Sequence, residues 1–157
     1  MDTVYLVSIH DQSPRGYLAF DLRDVLAALG DNVSQWTWWV TELDALGGAE
    51  VQSFCDAVES QGENGVWVTA EEFMLLAGKI EQTIEGKFFG FTKDRSPSEL
   101  TDEDLNWGRF PTNQMQIGIL AVDSSFFEVF ARQESIVAAV RSKFSDVREK
   151  NPDSYFH

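Results

Sequence analysis

The sequence predicts an α+β fold, a single domain in which a largely antiparallel sheet packs with about four helices. Three observations carry this. Short apolar runs rich in β-branched and aromatic residues recur along the chain, and two of them are joined by a turn. Between them lie stretches whose apolar residues repeat every three or four positions. These helical stretches are scattered rather than alternating regularly with strands, which disfavours a parallel sheet.

The best-signalled stretch is 65–92. Val66–Val68 opens after a glycine as a short buried strand. Thr69 suits an N-cap and Glu72 completes a capping box, while Val68 and Phe73 stand at the positions of a hydrophobic staple. Phe73, Leu76, Ala77, Ile80 and Ile84 form one stripe, so the helix is expected to run to Gly86. Lys87–Thr92, with three phenylalanines, then reads as a strand.

The other elements follow in order. Val4–Ile9 reads as a strand, followed by a turn over Asp11–Gly16. Asp21 caps a helix to Leu29, stapled by Phe20 and Val25 and closed by Gly30. Gln35–Thr41 is a strand whose alternation sets Trp36, Trp38 and Val40 on one side and Thr37, Trp39 and Thr41 on the other. After Gly47-Gly48, Val51, Phe54, Cys55 and Val58 mark a second helix. Met115–Val122 and Phe126–Ala131 form a hairpin around Asp123-Ser124-Ser125. A last helix spans Glu134–Val147, with Arg141, Lys143, Arg148 and Lys150 toward its C-terminal half, and 151–157 reads as a flexible tail.

Residues 93–113 form a long acidic and aromatic loop without sustained periodicity, a length that in a compact domain usually marks function or mobility. It carries two start signals for helical turns, at Ser96–Glu99 and Thr101–Asp104.

Composition bounds the function. The chain has 157 residues, enough for a real core. Its 43% hydrophobic content argues against disorder. No run approaches the ~18 apolar residues of a membrane span, and the start predicts no secretory leader. One cysteine, Cys55, excludes an internal disulfide and agrees with a cytoplasmic protein. The net charge of −14 is uneven. Residues 1–41 carry −3, residues 42–104 carry −11, and residues 105–157 carry 0. Direct nucleic-acid binding needs a basic surface and is disfavoured, whereas a basic protein partner would be steered to the middle segment. Plain solubility is the competing reading of the charge.

No catalytic motif stands out, and no cofactor or metal is expected. His10 and His157 lack neighbours at metal-ligand spacing, and phosphate-loop and dinucleotide patterns are missing. Cys55, on an apolar helical stripe, reads as a structural thiol. Glu42 with Asp44, and Asp102 with Glu103 and Asp104, could supply paired carboxylates, yet such acids are commonly solvated faces or helix-start charges. Trp36 and Trp38 read as core. Trp39 points to the other face, and where no helix covers that face it is expected to be an exposed aromatic beside Glu42 and Asp44. Trp107, Arg109 and Phe110 are the best interface candidates, with pinning of the loop to the domain as the alternative. The partner-binding set is therefore Asp102, Glu103, Asp104, Trp107, Arg109, Phe110 and Trp39.

Three stretches together carry a resemblance: Gly65–Thr69 leading into Glu71, Glu72, Ile80 and Gln82; Ala121–Val129; and Phe144 with Asp146-Val147. Their order and spacing resemble a group of small bacterial proteins, some of them similar to the immunity proteins of polymorphic toxin systems. The resemblance covers roughly the C-terminal two thirds, through core and turn positions, and leaves out the tryptophan-rich first third. It implies a cytoplasmic, non-catalytic protein that neutralises a toxin by binding it, and the acidic middle segment is compatible with a basic toxin. Two alternatives stand beside it. One is a small-ligand-binding protein or enzyme using Trp36, Trp38, Trp39 and Trp67. The other is a phage-type acidic inhibitor of a nucleic-acid enzyme.

Overall fold

The structure, a computed structural model, describes residues 3–156; His157 lies outside the described residues. It is an α+β fold built on one seven-stranded antiparallel sheet. The strands are β1 (Tyr5–Ile9), β2 (Trp36–Gly47), β3 (Val66–Val68), β4 (Ile80–Thr92), β5 (Ile117–Val122), β6 (Phe126–Ala131) and β7 (Val147–Glu149). They lie in the order β3-β2-β4-β5-β6-β1-β7. The helices are α1 (Leu22–Leu29), α2 (Ala49–Gln61), α3 (Ala70–Lys79) and α4 (Glu134–Lys143).

The three tryptophans of β2 divide the interior. Trp36, Trp38 and Val40 join the core formed with all four helices, where Val25, Val51, Phe73 and Val140 meet the sheet. Trp39 points to the opposite face and joins Phe89, Phe91, Phe130 and Leu6 in a second core that none of α1–α4 covers. The alternation read from the sequence holds, and each strand residue buries against a different layer.

Local signals hold at the N-caps of α1 and α3. Thr69 Oγ1 accepts from the Glu72 N–H (3.1 Å) while Glu72 Oε1 accepts from the Thr69 N–H (2.9 Å). Asp21 caps α1 and reaches further: its carboxylate accepts from the Thr83 N–H (2.8 Å) and Oγ1 (2.5 Å), tying the helix to β4. The β5–β6 turn places both Asp123 and Ser124 at positive φ, as a type I′ turn requires.

Four boundaries differ from the sequence reading. α3 ends at Lys79, and Ile80 to Thr92 is one long strand. The reason is visible in the β2–β4 register, which shifts between Asp44 and Ala45 and again between Leu46 and Gly47. Each bulge adds a residue, so Ile80 and Thr83, both buried, are three apart in a strand. The expected stripe continued through Ile80 and Ile84, which are four apart, a spacing that a strand's period of two accommodates as well as a helix does. Gly86 sits within the ladder rather than ending a helix, and a Cβ there would lie 2.6 Å from the Phe88 ring.

β2 likewise runs six residues past the expected end at Thr41, to Gly47, because β4 pairs with it that far. α4 stops at Lys143. The Asp11 carboxylate takes the N–H groups of Ser145 (2.9 Å) and Asp146 (2.6 Å), and the chain turns into β7 beside β1. Finally, 151–156 is not a free tail. Pro152–Ser154 makes a 3-10 turn, and Phe156 is buried against Phe110 and Phe130. These rings are apolar surface that the second core needs covered.

Two glycines test this assignment. Gly86→Ala is expected to cost about 1–3 kcal/mol in urea unfolding, by forcing a methyl against Phe88. Gly78→Ala, in α3 with open space at its Cβ position, is expected to gain about 0.5–1 kcal/mol.

Candidate functional site

The segment 93–113 covers the helix-free face, and its own polar groups hold it in shape. Ser96 and Glu99 form a capping box around a 3-10 turn at Pro97–Glu99, and these hydrogen bonds lower the pKa of Glu99. Thr101 N–H donates to Asp104 Oδ2 (3.0 Å), and Asp104 N–H donates to Thr101 Oγ1 (3.3 Å). The expected second start signal therefore closes as a turn. Asn113 Nδ2 spans the loop to the Asn106 carbonyl (2.8 Å). Arg132, at the end of β6, fastens its far end. Its Nε donates to the Met115 carbonyl (2.7 Å), its Nη2 to the Asn113 (2.7 Å) and Phe110 (2.5 Å) carbonyls, and its guanidinium lies 4.4 Å over the Phe110 ring. The sequence reading did not single out Arg132; no periodicity or motif marks it.

This packing separates the seven candidate residues. Trp39 is only 4% exposed, stacked on Trp67 at 5.7 Å, with its Nε1 donating to the Asn64 carbonyl (2.8 Å). None of α1–α4 covers its face, yet Trp39 is not the exposed aromatic expected there, because Trp67, Phe89 and Phe91 pack around its ring and loop 93–113 covers that face. Phe110 is fully buried and pins the loop. Trp107 is half-buried, stacked on Phe130 (6.2 Å). Asp104 is half-buried and takes the Gln114 N–H (3.2 Å) as well as the Thr101 groups. Glu103 accepts from Thr112 Oγ1 (3.2 Å). Arg109 and Asp102 are exposed.

Three of the seven meet at one place. Trp39, Asp102 and Trp107 line a cleft of about 830 Å³ with Glu42, Glu63, Lys87, Phe89 and Asn106. Its floor is aromatic and its rim acidic. A neighbouring groove of about 480 Å³ shares Thr41, Glu42 and Gly62 with it and adds Asp44, Asp56 and Glu59. Lys87 is the one base lining either depression, and Glu42 pairs with it at 3.0 Å. Glu63, Asp56 and Glu59 escaped the sequence reading because three separate segments carry the acids. Only the fold assembles them.

The strand order explains the concentration of charge. Residues 42–104, with −11, build half of β2, all of β3 and β4, and α2 and α3. These strands occupy one end of the sheet, so a bias along the chain becomes a bias in space. Such a field attracts and orients cationic partners.

A second set of titratable groups lies at the other end of the sheet, on β1, β6 and the chain after β7. Glu128, 4% exposed, accepts from Lys150 Nζ (2.9 Å) and Tyr155 O–H (2.7 Å). Burial, then the hydrogen bond to Glu128, raises the Tyr155 pKa well above its ordinary range. Ser8 Oγ lies 2.8 Å from His10 Nε2 but is wholly buried, and no solvent-facing nucleophile results. Burial first, and Arg148 second, lowers the His10 pKa. Cys55 is half-buried on α2, its pKa raised by burial, which favours the unreactive thiol. Among the described residues no group of three or more His, Cys, Asp or Glu is placed to hold a metal ion. Trp36 and Trp38 belong to one core and Trp39 and Trp67 to the other, so the tryptophans do not converge on one cavity. No helix among the described residues is long and apolar enough to cross a membrane.

Compared with protein-family models, curated proteins and solved structures, the chain finds no match in any of the three. The molecule is thus defined by its own geometry, an α+β domain with an acidic, aromatic-floored cleft.

Two measurements follow from this geometry. Arg132→Met is expected to cost about 2–4 kcal/mol, since buried carbonyls lose a charged donor, and to speed amide exchange across 104–115 before it affects α1 or α4. His10 is a base with a depressed folded-state pKa, so the unfolded chain binds its proton first. Its contribution to stability is therefore constant above the unfolded pKa of about 6.5 and falls as pH drops below it. Urea titrations of wild type and His10→Gln between about pH 7.5 and 5 should show the smaller decline in the variant.

Proposed function

We propose that this protein is a non-catalytic, acidic binding module that neutralises a basic protein partner in the cytoplasm, as an immunity protein neutralises its toxin. The observation that carries this reading is the continuous acidic surface of the cleft and groove. There Glu42, Asp44, Asp56, Glu59, Glu63 and Asp102 face solvent with Lys87 as the lining base. The aromatic floor supports it further, since half-buried Trp107 lines the cleft with the acids and offers apolar area of the kind found at interface hot spots. Charge of this kind acts mainly on association rate and partner choice, and salt screens it.

The test is retention of proteins from the source lysate on the immobilised chain at low and high salt, identified by mass spectrometry. A single basic protein held at low salt and weakened at high salt is the expected result. The double variant Glu63→Lys/Asp102→Lys, both sites exposed, should retain at least about tenfold less of it. Retention unaffected by the variant would remove the cleft from the interface. An empty column with intact folded protein would remove the reading itself.

A further inference from the structure

The edge of β2 is only partly closed. β3 pairs with Trp38, Trp39 and Val40 and goes no further. Before β3 the chain peels away from the ladder through a 3-10 turn at Gly62–Asn64, flanked by Gly62 and Gly65 at positive φ. At the other end, Gln52 of α2 donates its Nε2 to the Ala45 carbonyl (3.1 Å), capping the strand with a side chain. Between these two closures, among the described residues, no strand pairs with Glu42–Asp44 on the side away from β4. The groove of about 480 Å³ lies along this gap.

An uncovered strand edge offers its backbone donors and acceptors to another chain unless it is blunted. The side chains here state which chain. Glu42 and Asp44 are exposed on one face of the strand, while Leu43 is buried on the other. On Leu43's side the groove wall carries Val58 and the half-buried Cys55 of α2. A strand laid along the edge would therefore set one series of side chains beside two carboxylates. Its alternate series would lie over Leu43 and Val58.

We infer that Glu42–Asp44 receives an extended segment of the protein partner as an added strand continuing the line of β3, with Lys or Arg alternating with apolar residues. This rests on the basic-partner reading above and specifies the mode of contact. Main-chain pairing supplies affinity and the alternating pockets supply the sequence preference.

The probe is a short alternating Lys–Val peptide, compared with the same sequence methylated on every backbone nitrogen. The two share charge and composition, but the second cannot donate to a ladder. Binding to the intact chain is followed by amide chemical shifts and exchange. The expected result is protection at this edge by the first peptide, carried by the Leu43 amide because alternate strand residues turn their N–H groups outward and Ala45 faces out. Binding by the second should be about tenfold weaker, the equivalent of one or two lost hydrogen bonds. Asp44→Lys, at an exposed site opposite Glu85, should weaken the protection while leaving the remaining amide shifts in place. Equal binding of both peptides, or protection confined to other segments, overturns the inference. A basic protein retained from lysate whose complex leaves these amides unprotected also overturns it and leaves the functional reading standing. Failure to retain any basic protein strikes the functional reading instead, in a separate assay.

Discussion

A sheet with large apolar side chains on both faces must be covered twice, and this requirement organises the molecule. β2 alone places Trp36 and Trp38 on one side and Trp39 on the other, and β4 does the same with Phe88 against Phe89 and Phe91. Each such ring, if left in water, would forgo about 1.5–3 kcal/mol. Four helices cover the first face. The second is covered by irregular chain, the loop 93–113 and the C-terminal 151–156, whose backbone polar groups need partners of their own. Arg132, Asn113 and the Thr101–Asp104 turn supply them. The loop is thereby a structural layer, and its aromatic residues point inward.

That layer also makes the cleft. Because irregular chain covers the second face incompletely, a depression remains where Asp102 and Trp107 approach β2 and β4. The sheet order then decides what lines it. With β3, β2 and β4 at one end, the acidic third of the chain converges there, while the neutral C-terminal third builds β5, β6 and β7 at the other. Charge and shape coincide because one strand order produced both.

Much of this was legible in the residues. The caps at Asp21, Thr69 and Ser96 involve groups at most three positions apart, so they read directly, although the box that Asp24 completes at Asp21 did not. The alternation of Trp36, Trp38 and Trp39 read directly too, because a strand's period is local. The end of α3 did not. Ile80 and Ile84 are four apart, which suits a helix and a strand alike, and pairing with a strand over thirty residues away decided between them. Phe110 and Trp39 read as interface candidates because nothing near them in sequence shows the partners that bury them, Arg132 and Phe130 for one, the loop and Trp67 for the other. Of the proposed contact residues, Asp102 and Trp107 do line the cleft. Glu63, Asp56 and Glu59 were invisible as a group.

The sequence by itself determined the α+β class, the helix starts, the β5–β6 hairpin and the acidic middle, since each depends on neighbours along the chain or on composition. Tertiary structure alone decided where strands end, which aromatics are buried, and which acids share a surface. Those outcomes depend on register and on coverage of the second face, and the contacts that set them join residues such as Asp21 with Thr83, or Arg132 with Phe110, that no local pattern connects.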